Sequence, residues 1–339
     1  MFKKSKSVYA ATIGLGFGLN HAKVFKNNKR VKLISISDID VKKKIYAKML
    51  NTSFKVNLNS IFKNKKINLI SIASYDNYHY KHIVQAIRNN INIFVEKPMC
   101  QTMSQFSKIT KLFKKSNIKL SSNFVLRYHP KFKKVKELVK KNIIGKIYSI
   151  EGEYNYGRIN KLTHGWRGKI PFYSVVQGGG IHIIDLMIWL TNSFPLEVTS
   201  IGNNVMTKKT SYKYDDNNIA LLKFKNNITG KVTSNFSCVL PHHHTLKVFG
   251  SKGTIEVSRD KILLYKSRRE NIKPKQINFG KDIDYKNKIL NSYILSLVNN
   301  KKNNNPSTKE IFLSMLTCLV MEKSTISKKW EKVKINEYL

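Results

Sequence analysis

The sequence is poor in acidic residues and cysteine, and it contains no long apolar segment. Its 20 Asp and Glu residues are set against 62 Lys and Arg residues. The three scattered cysteines lack the spacing of a metal site or a disulfide framework. No apolar run reaches the roughly 18 residues that span a bilayer, and the first seven residues lack a signal-peptide core. We therefore expect a cytoplasmic chain with no metal site and no membrane partner.

The formal charge of +42 does not by itself identify a nucleic-acid ligand. Lysine is spread over the whole chain together with Asn and Ile, and all three residues have A/T-rich codons. Lysine and arginine never occur four in a row. We expect no specific nucleic-acid partner, although such a surface favours an anionic substrate such as a nucleotide sugar.

An apolar run of strand length is followed by a glycine-rich turn and then by a helix-compatible segment. This order suits a dinucleotide pyrophosphate, since glycine permits positive φ and close approach, and the helix N-terminus offers free N–H groups. The spacing departs from G-x-G-x-x-G, because Leu19 occupies the place of the third glycine. The predicted pyrophosphate-binding residues are Gly14, Gly16, Phe17 and Gly18.

The next apolar run, residues 31–37, stops at Asp38, about 20 residues beyond the last glycine, where a carboxylate contacts the adenosine ribose. A carboxylate there favours NAD over NADP, although NADP stays possible. The alternative is that Asp38 and Asp40 only cap the helix that begins near Val41.

Strands alternate with helices of about a dozen residues up to residue 122, which predicts an α/β Rossmann domain with a parallel sheet over residues 1–122. Ligands of such sheets lie beyond the strand C-termini, which also places Ser74, Glu96 and Lys97 at the site. From Gly145 the runs alternate as in antiparallel strands. Residues 123–339 are therefore predicted to form an α+β domain with a large open, mostly antiparallel sheet. Its helices are expected at residues 181–191, 284–299 and 308–327, with an exposed loop at 299–305.

Lys97 precedes a proline at a strand end, so it is held extended with its amine beyond the sheet edge. There it can bind a substrate hydroxyl while hydride leaves the same carbon. The alternative is an ordinary solvated lysine.

A second chemical group is Q-G-G-G-I-H-I-I-D (177–185), in which His182 and Asp185 share one helical face. A neutral imidazole is a suitable base for an alcohol proton. A core histidine satisfied by Asp185 is the equally open alternative.

Two pairs, Arg127–Tyr128 and Trp166–Arg167, either line a sugar-sized pocket or pack between domains. His242, His243 and His244 lie on a strand, where alternate side chains point to opposite faces, so no three-ligand metal site is expected.

These motifs together resemble the Gfo/Idh/MocA oxidoreductases, the enzymes similar to glucose–fructose oxidoreductase and inositol dehydrogenase. The likeness covers nearly the whole chain, and E-K-P after a Rossmann strand is its most specific part. The matching segments are I-G-L-G-F-G-L-N-H (13–21), Asp38, V-E-K-P (95–98), N-F-V-L-R-Y-H-P (123–130), G-G-G-I-H-I-I-D (178–185) and V-F-G-S-K-G (248–253).

The resemblance implies an NAD(P)-dependent dehydrogenase or reductase acting on a secondary hydroxyl or ketone of a sugar, cyclitol or nucleotide sugar. It implies catalysis by Lys97 and His182, with Asp185 completing the segment, and a homodimer or homotetramer formed through the C-terminal sheet. Many members carry an aspartate four residues before the histidine, where this chain has Gly178. The alternatives are a non-catalytic nicotinamide-binding sensor or partner subunit, and a hydrolase or lyase that uses tightly held NAD transiently.

Overall fold

The computed structural model describes residues 7–281, 284–299 and 305–338. The predicted loop at 299–305 and the N-terminal segment fall largely outside these residues. The strands, in chain order, are β1 (Val8–Ile13), β2 (Val31–Ser37), β3 (Ser53–Phe54), β4 (Leu69–Ile72), β5 (Asn92–Val95), β6 (Leu120–Ser122), β7 (Ile147–Asn155), β8 (Pro195–Asn203), β9 (Asn217–Phe224), β10 (Thr229–Asn235), β11 (His243–Gly250), β12 (Gly253–Val257), β13 (Ile262–Tyr265), β14 (Lys275–Gln276) and β15 (Glu331–Lys332). The α-helices are α1 (Gly18–Asn27), α2 (Ile45–Met49), α3 (Asn59–Phe62), α4 (Asp76–Arg88), α5 (Met103–Lys114), α6 (Pro130–Lys140), α7 (Asn160–Thr163), α8 (Ile181–Thr191), α9 (Tyr285–Asn299) and α10 (Thr308–Ser327).

The chain forms two compact units. Among the described residues, the first contains residues 7–125, 284–299, 305–311 and 338, and the second contains residues 126–281 and 312–337. The predicted domain division into residues 1–122 and 123–339 stays a prediction.

The first unit is built on a parallel sheet whose strands, among the described residues, follow the order β3-β2-β1-β4-β5-β6. This is the doubly wound order of a dinucleotide-binding fold, and it confirms the predicted Rossmann sheet. The central strands are almost wholly buried, as their β-branched composition requires. Helix α9 packs against α1 and β1 of this unit, and the Tyr293 hydroxyl donates to the Lys119 carbonyl at 2.6 Å.

One expected helix is shorter than its pattern suggests. In place of the helix predicted from Val41, the structure has a 3-10 turn, Val41–Lys44, followed by the five-residue α2. Asp40 caps this turn, because its carboxylate accepts the Lys42 N–H.

The second unit contains a mixed sheet whose described strands follow the order β14-β13-β12-β11-β7-β10-β9-β8-β15. All neighbours pair antiparallel except β7 and β10, which are parallel. The predicted turn between β9 and β10 is confirmed, since Asn226 and Asn227 have φ values of 69° and 56°. The open, mostly antiparallel sheet is therefore confirmed as the second architecture.

Helix α8 has the bounds that its sequence predicts, and it is apolar on nearly every side because it is buried in the second unit. It packs on β7 at Gly152, where a Cβ atom would lie 2.5 Å from the Ile183 side chain. This close contact fixes the helix that carries His182 against the sheet. No helix among the described residues is long and apolar enough to cross a membrane.

Candidate functional site: a dinucleotide turn and a histidine helix

The three glycines of the first turn differ in their surroundings. Gly14 has a φ of +85°, and a Cβ atom there would lie 2.3 Å from the Ala73 carbonyl oxygen. A Cβ at Gly18 would lie 2.8 Å from the Ala73 Cβ, so Gly18 permits α1 to pack against the loop after β4. A Cβ at Gly16 would meet nothing within 4 Å, so the backbone at this position is open to a ligand. The turn is one residue shorter than the usual G-x-G-x-x-G motif. Gly18 nevertheless has the role of the third glycine of that motif, which is to permit close packing of the helix.

Phe17 lies at the start of α1, half-exposed, with its ring edge-on to His21 at 5.6 Å. Its exposure leaves it accessible to a ligand on the turn. The predicted cofactor role of Phe17 stays a prediction.

Asp38 contacts the glycine turn directly. Its Oδ2 accepts the Leu15 N–H at 2.5 Å and a hydrogen bond from Lys43 Nζ at 2.9 Å, while Oδ1 accepts the Asp40 N–H at 2.9 Å. Ile39 beside it is 73% exposed and offers an apolar surface of the kind that stacks on a base. The carboxylate, the open glycine and the apolar side chain together fit an adenosine diphosphate moiety. Capping of the following turn falls to Asp40, not to Asp38.

Ser74 and the Glu96–Lys97 pair follow two adjacent strands, β4 and β5, at the same edge of the sheet. The Ser74 hydroxyl lies 3.1 Å from His82 Nδ1. Burial, with the neighbouring His79 and Lys81, lowers the pKa of His82 to about 4, so this imidazole is neutral at pH 7. The peptide bond between Lys97 and Pro98 is cis.

Glu96 is held as a carboxylate inside the first unit. Asn123 Nδ2 donates to its Oε1 at 2.5 Å, and His21 Nε2 lies 3.3 Å away. Burial alone would raise the pKa of Glu96, but the hydrogen bond and charge of His21, then Lys97 and Asn123, lower it.

Sequence analysis missed His79, which joins the two strand ends. Its Nδ1 lies 2.6 Å from the Pro98 carbonyl oxygen and its Nε2 lies 2.9 Å from the Ser74 carbonyl oxygen, and the side chain is fully buried. His79 therefore fixes the loop of Lys97 to the loop of Ser74. The sequence signal that could have identified His79 was its position one turn into α4, the helix that follows β4.

In the second unit, His182 lies at the start of α8 and stacks on Tyr154, with ring centroids 6.0 Å apart and planes at 11°. Tyr154 also packs against Phe236, His242 and His244. Burial, and then the neighbouring His242 and Lys131, lower the pKa of His244 well below its usual value, which keeps this group neutral. His242, which precedes β11, and His244 on β11 thus pack against the same Tyr154 ring on which His182 stacks.

Arg127 and Asp185 form a bidentate ion pair. Arg127 Nε donates to Oδ2 at 2.9 Å and Nη2 donates to Oδ1 at 2.8 Å, and both side chains are almost completely buried. Tyr128, on the same 3-10 turn as Arg127, is buried too. The structure therefore places Arg127, a predicted substrate-binding residue, inside the second unit against Asp185.

Trp166 and Arg167 meet Tyr173, which lies beside Gly178. Arg167 Nε donates to the Tyr173 hydroxyl at 2.9 Å, and Trp166 stands edge-on to the Tyr173 ring at 6.0 Å. A Cβ atom at Gly178 would lie 2.1 Å from the Tyr173 hydroxyl oxygen. The Tyr173 hydroxyl thus fills the space in which a side chain at position 178 would begin. Tyr173 is the second residue that sequence analysis missed.

The doubly wound sheet with its glycine turn defines the class of this chain, an oxidoreductase with an NAD-binding Rossmann fold. Residues 8–124 match the oxidoreductase family with that fold, and residues 132–256 match the GFO/IDH/MocA C-terminal domain. The chain belongs to the Gfo/Idh/MocA family.

Relatives with named activities are distant in sequence. The chain is 21% identical over 259 residues to a 2,7-anhydro-N-acetylneuraminate hydratase of Mediterraneibacter gnavus, covering 74% of this chain and 67% of the relative. It is 23% identical to a myo-inositol 2-dehydrogenase of Thermotoga maritima, covering 72% and 73%. The solved structure of a levoglucosan dehydrogenase in complex with NADH and L-sorbose superposes with a TM-score of 0.84 at 16% identity, covering 96% of this chain and 99% of that one.

Gly14 and Gly16 provide a matched test of the dinucleotide site. Gly16→Ala should change the free energy of unfolding by less than about 1 kcal/mol, because its Cβ meets open space, yet weaken NADH binding at least about tenfold. Gly14→Ala should cost about 1–3 kcal/mol, because it combines positive φ with overlap of the Ala73 backbone. Chemical denaturation measures the stability of each variant, and NADH fluorescence titration measures its NADH affinity. Unchanged NADH affinity in Gly16→Ala would exclude this turn as the pyrophosphate site.

Proposed function

We propose that this chain is an NAD-dependent oxidoreductase acting on a secondary hydroxyl or ketone of a sugar, cyclitol or nucleotide sugar. The observation that carries the proposal is Lys97, held by the His79–Pro98 contact at the strand edge where a nicotinamide would lie. Relatives named for dehydrogenation of myo-inositol and levoglucosan support a ring polyol as substrate.

The proposed roles follow from the chemistry of each group. The glycine turn and Phe17 would bind the pyrophosphate, Asp38 the adenosine ribose, and Ser74 and Glu96 would border the nicotinamide. The Lys97 ammonium would bind the substrate oxygen and stabilise its developing negative charge, and His182 would take the hydroxyl proton. Bound NAD supplies the hydride acceptor. Of the remaining predicted residues, Trp166 and Arg167 would border the substrate, whereas Arg127, Tyr128 and Asp185 would support the helix of His182 from within the unit.

The polar group missing at Gly178 is proposed to come from Tyr173. Its hydroxyl fills the start of the space that a longer side chain at 178 would take, one helical turn before His182. The phenol accepts a hydrogen bond from Arg167, and a phenol oxygen can donate a hydrogen bond as well as accept one. Tyr173 would therefore give the hydrogen bond for which many family members use aspartate.

The function is tested by mixing the protein with NAD and ring polyols, with myo-inositol, levoglucosan and UDP-sugars as probes, and following NADH absorbance. We expect turnover with at least one probe class. Lys97→Met should abolish this turnover and change NADH affinity by less than about threefold, because the methylene stem is kept and only the ammonium is lost. Lys133→Met, on a solvent-exposed turn of α6, is the control. Failure to bind NADH, or full turnover in Lys97→Met, would contradict the proposal.

Tyr173→Phe isolates the hydroxyl, since the ring and its packing stay in place. We expect kcat to fall at least about tenfold with NADH affinity unchanged, because a hydrogen bond to the reacting oxygen is lost. The matched control is Tyr214→Phe, which removes a hydroxyl that donates to the Pro171 carbonyl on the same unit. Equal kcat in Tyr173→Phe and the wild type would remove Tyr173 from the mechanism.

A second candidate is favoured by the hydratase relative of Mediterraneibacter gnavus. An enzyme that oxidises and then reduces its substrate within one turnover would consume substrate without net change in NADH absorbance. Product analysis by NMR alongside the absorbance assay separates this chemistry from net oxidation. NADH binding without conversion of any probe would instead favour a non-catalytic sensor or partner subunit.

We propose a homodimer or homotetramer formed through the open sheet of the second unit. Ile201 on β8 and Leu221 on β9 lie 71% and 48% exposed on that sheet, which supports an apolar contact. Replacing both by Lys should convert the oligomer to monomers in sedimentation velocity, because charges would then face the apolar contact. A monomeric wild type would contradict this assembly.

We propose a cytoplasmic location, which the thiol state of the cysteines supports. Within the described residues Cys100, Cys238 and Cys318 are thiols and not disulfides, and two of them are buried. Cell fractionation tests this location.

A further inference from the structure

A buried side-chain contact joins helix α10 to the turn that leads into α8. Residues Val176–Gly180 form a single turn of π-helix, called the π-turn below, which continues directly into α8 and ends two residues before His182. Its last three residues are glycines, so Gln177 carries the polar side chain of the π-turn. Gln177 is almost completely buried, and its Nε2 donates to Glu322 Oε2 on α10 at 2.6 Å. Glu322 therefore holds the turn on which the position of His182 depends.

The carboxyl group of Glu322 belongs to a part of α10 that is fixed to the sheet of the second unit. Ser200 on β8 binds the helix on both sides of Glu322. Its N–H donates to Ser324 Oγ at 3.0 Å, and its hydroxyl donates to the Met321 carbonyl at 2.7 Å. The contact with Gln177 thus ties the π-turn to a helix that the sheet keeps in place.

The surroundings of this carboxyl group favour its neutral form. Although the side chain is partly exposed, Oε1 is buried, and within the described residues this oxygen has no hydrogen-bond partner. Lys323, the adjacent lysine, pairs with Glu331 at 2.7 Å. A carboxylate oxygen that is buried without a donor or a cation costs far more free energy than the oxygen of a neutral acid. Burial accordingly raises the pKa of Glu322 to about 7, although Ser174 and Gln177 act in the opposite direction.

The titratable neighbours on this side of the π-turn supply no positive charge. Cys318, one turn earlier on α10, places its Sγ 3.9 Å from the Val176 carbonyl oxygen. The pKa of Tyr212, in the loop after β8, is raised by burial and then by the charges of Tyr173, Asp215, Asp216 and Glu322. Thiols, phenols and acids cannot balance a carboxylate, so ionised Glu322 would be a charge without a counter-charge.

We propose that Glu322 is a positioning residue for His182, which holds the π-turn through Gln177 as a neutral acid and releases it on ionisation. The inference rests on the proposed function and deepens it by adding a pH-dependent control outside the reacting groups. Ionisation would draw water to the buried Oε1, because the side chain already reaches the surface, and the packing of the π-turn would loosen. The π-turn is therefore held firmly at about pH 6 and loosened at about pH 8.5, on either side of the Glu322 pKa of about 7.

The test compares the wild type with Glu322→Gln, whose amide has the shape of the neutral acid and cannot ionise. With a probe that the wild type converts, kcat of the two proteins should agree within about twofold at pH 6. At pH 8.5 kcat of Glu322→Gln should be at least about threefold higher, with NADH affinity alike in both, because only the wild type has then ionised. Any titration of His182 itself is common to both proteins and cancels in this ratio.

The matched control is Glu331→Gln, which removes a carboxylate from the ion pair with Lys323 near the end of the same unit. Its kcat relative to the wild type should be the same at pH 6 and pH 8.5. A ratio that changes with pH in this variant as it does in Glu322→Gln would assign the effect to general charge and overturn the inference.

Two spectroscopic measurements test the inference without turnover. The infrared spectrum of the wild type should show a protonated carboxyl band at pH 6 that is lost at pH 8.5 and is absent from Glu322→Gln. In protein labelled with ¹³C-histidine, the His182 ring resonance of the two proteins should coincide at pH 6 and separate at pH 8.5.

Each contrary outcome has a distinct meaning. If Glu322→Gln removes no carboxyl band at pH 6, or if it does not fold, the neutral acid is excluded. A band that titrates while kcat and the His182 resonance stay equal in both proteins would overturn the positioning role and leave the oxidoreductase function intact. If no probe is converted, the proposed function fails, and the infrared and His182 measurements still decide this inference.

Discussion

The close approach of the glycine turn to the loop after β4 is the constraint on which the first unit depends. Gly14 lies so near the Ala73 carbonyl that no side chain fits, and its backbone has the positive φ that glycine adopts without cost. The same approach brings Leu15 to Asp38 and the turn to Ser74. Because His79 then ties Ser74 to Pro98, one backbone contact determines where the glycines, the acid and Lys97 lie relative to each other.

The second unit depends instead on a buried charge pair. Arg127 and Asp185 are both removed from water, so each is tolerable only while the other is present. If Asp185 acted as a base, it would leave the guanidinium without its counter-charge during the reaction, at a cost of several kcal/mol. This favours His182 as the proton acceptor and makes Asp185 a support for the helix that carries it.

The features that could be predicted from the sequence are those that a local residue pattern determines. Strand ends, the glycine turn, Asp38 and the bounds of α8 all follow from periodicity and residue type within a short window. The parallel pairing of β7 with β10 was not predictable, since alternation specifies a strand but not the direction of its neighbour. His79 was missed for a related reason, because it owes its position to the Pro98 carbonyl, 19 residues away in the sequence, which folding brings close. Tyr173 was missed because residue type does not show that its hydroxyl fills the space beside Gly178.

The large positive charge has to be separated from the few cations that can discriminate between ligands. A net +42 raises the affinity of any anion, and more so for NADP than for NAD because of the additional phosphate. That attraction comes from many distant lysines, so it falls as salt shortens the screening length to about 8 Å at physiological ionic strength. A lysine in contact with the ligand is screened much less. The ionic-strength dependence of NADH binding therefore separates the contribution of the whole surface from that of a lysine in contact with the ligand, which composition alone cannot distinguish from the other basic residues.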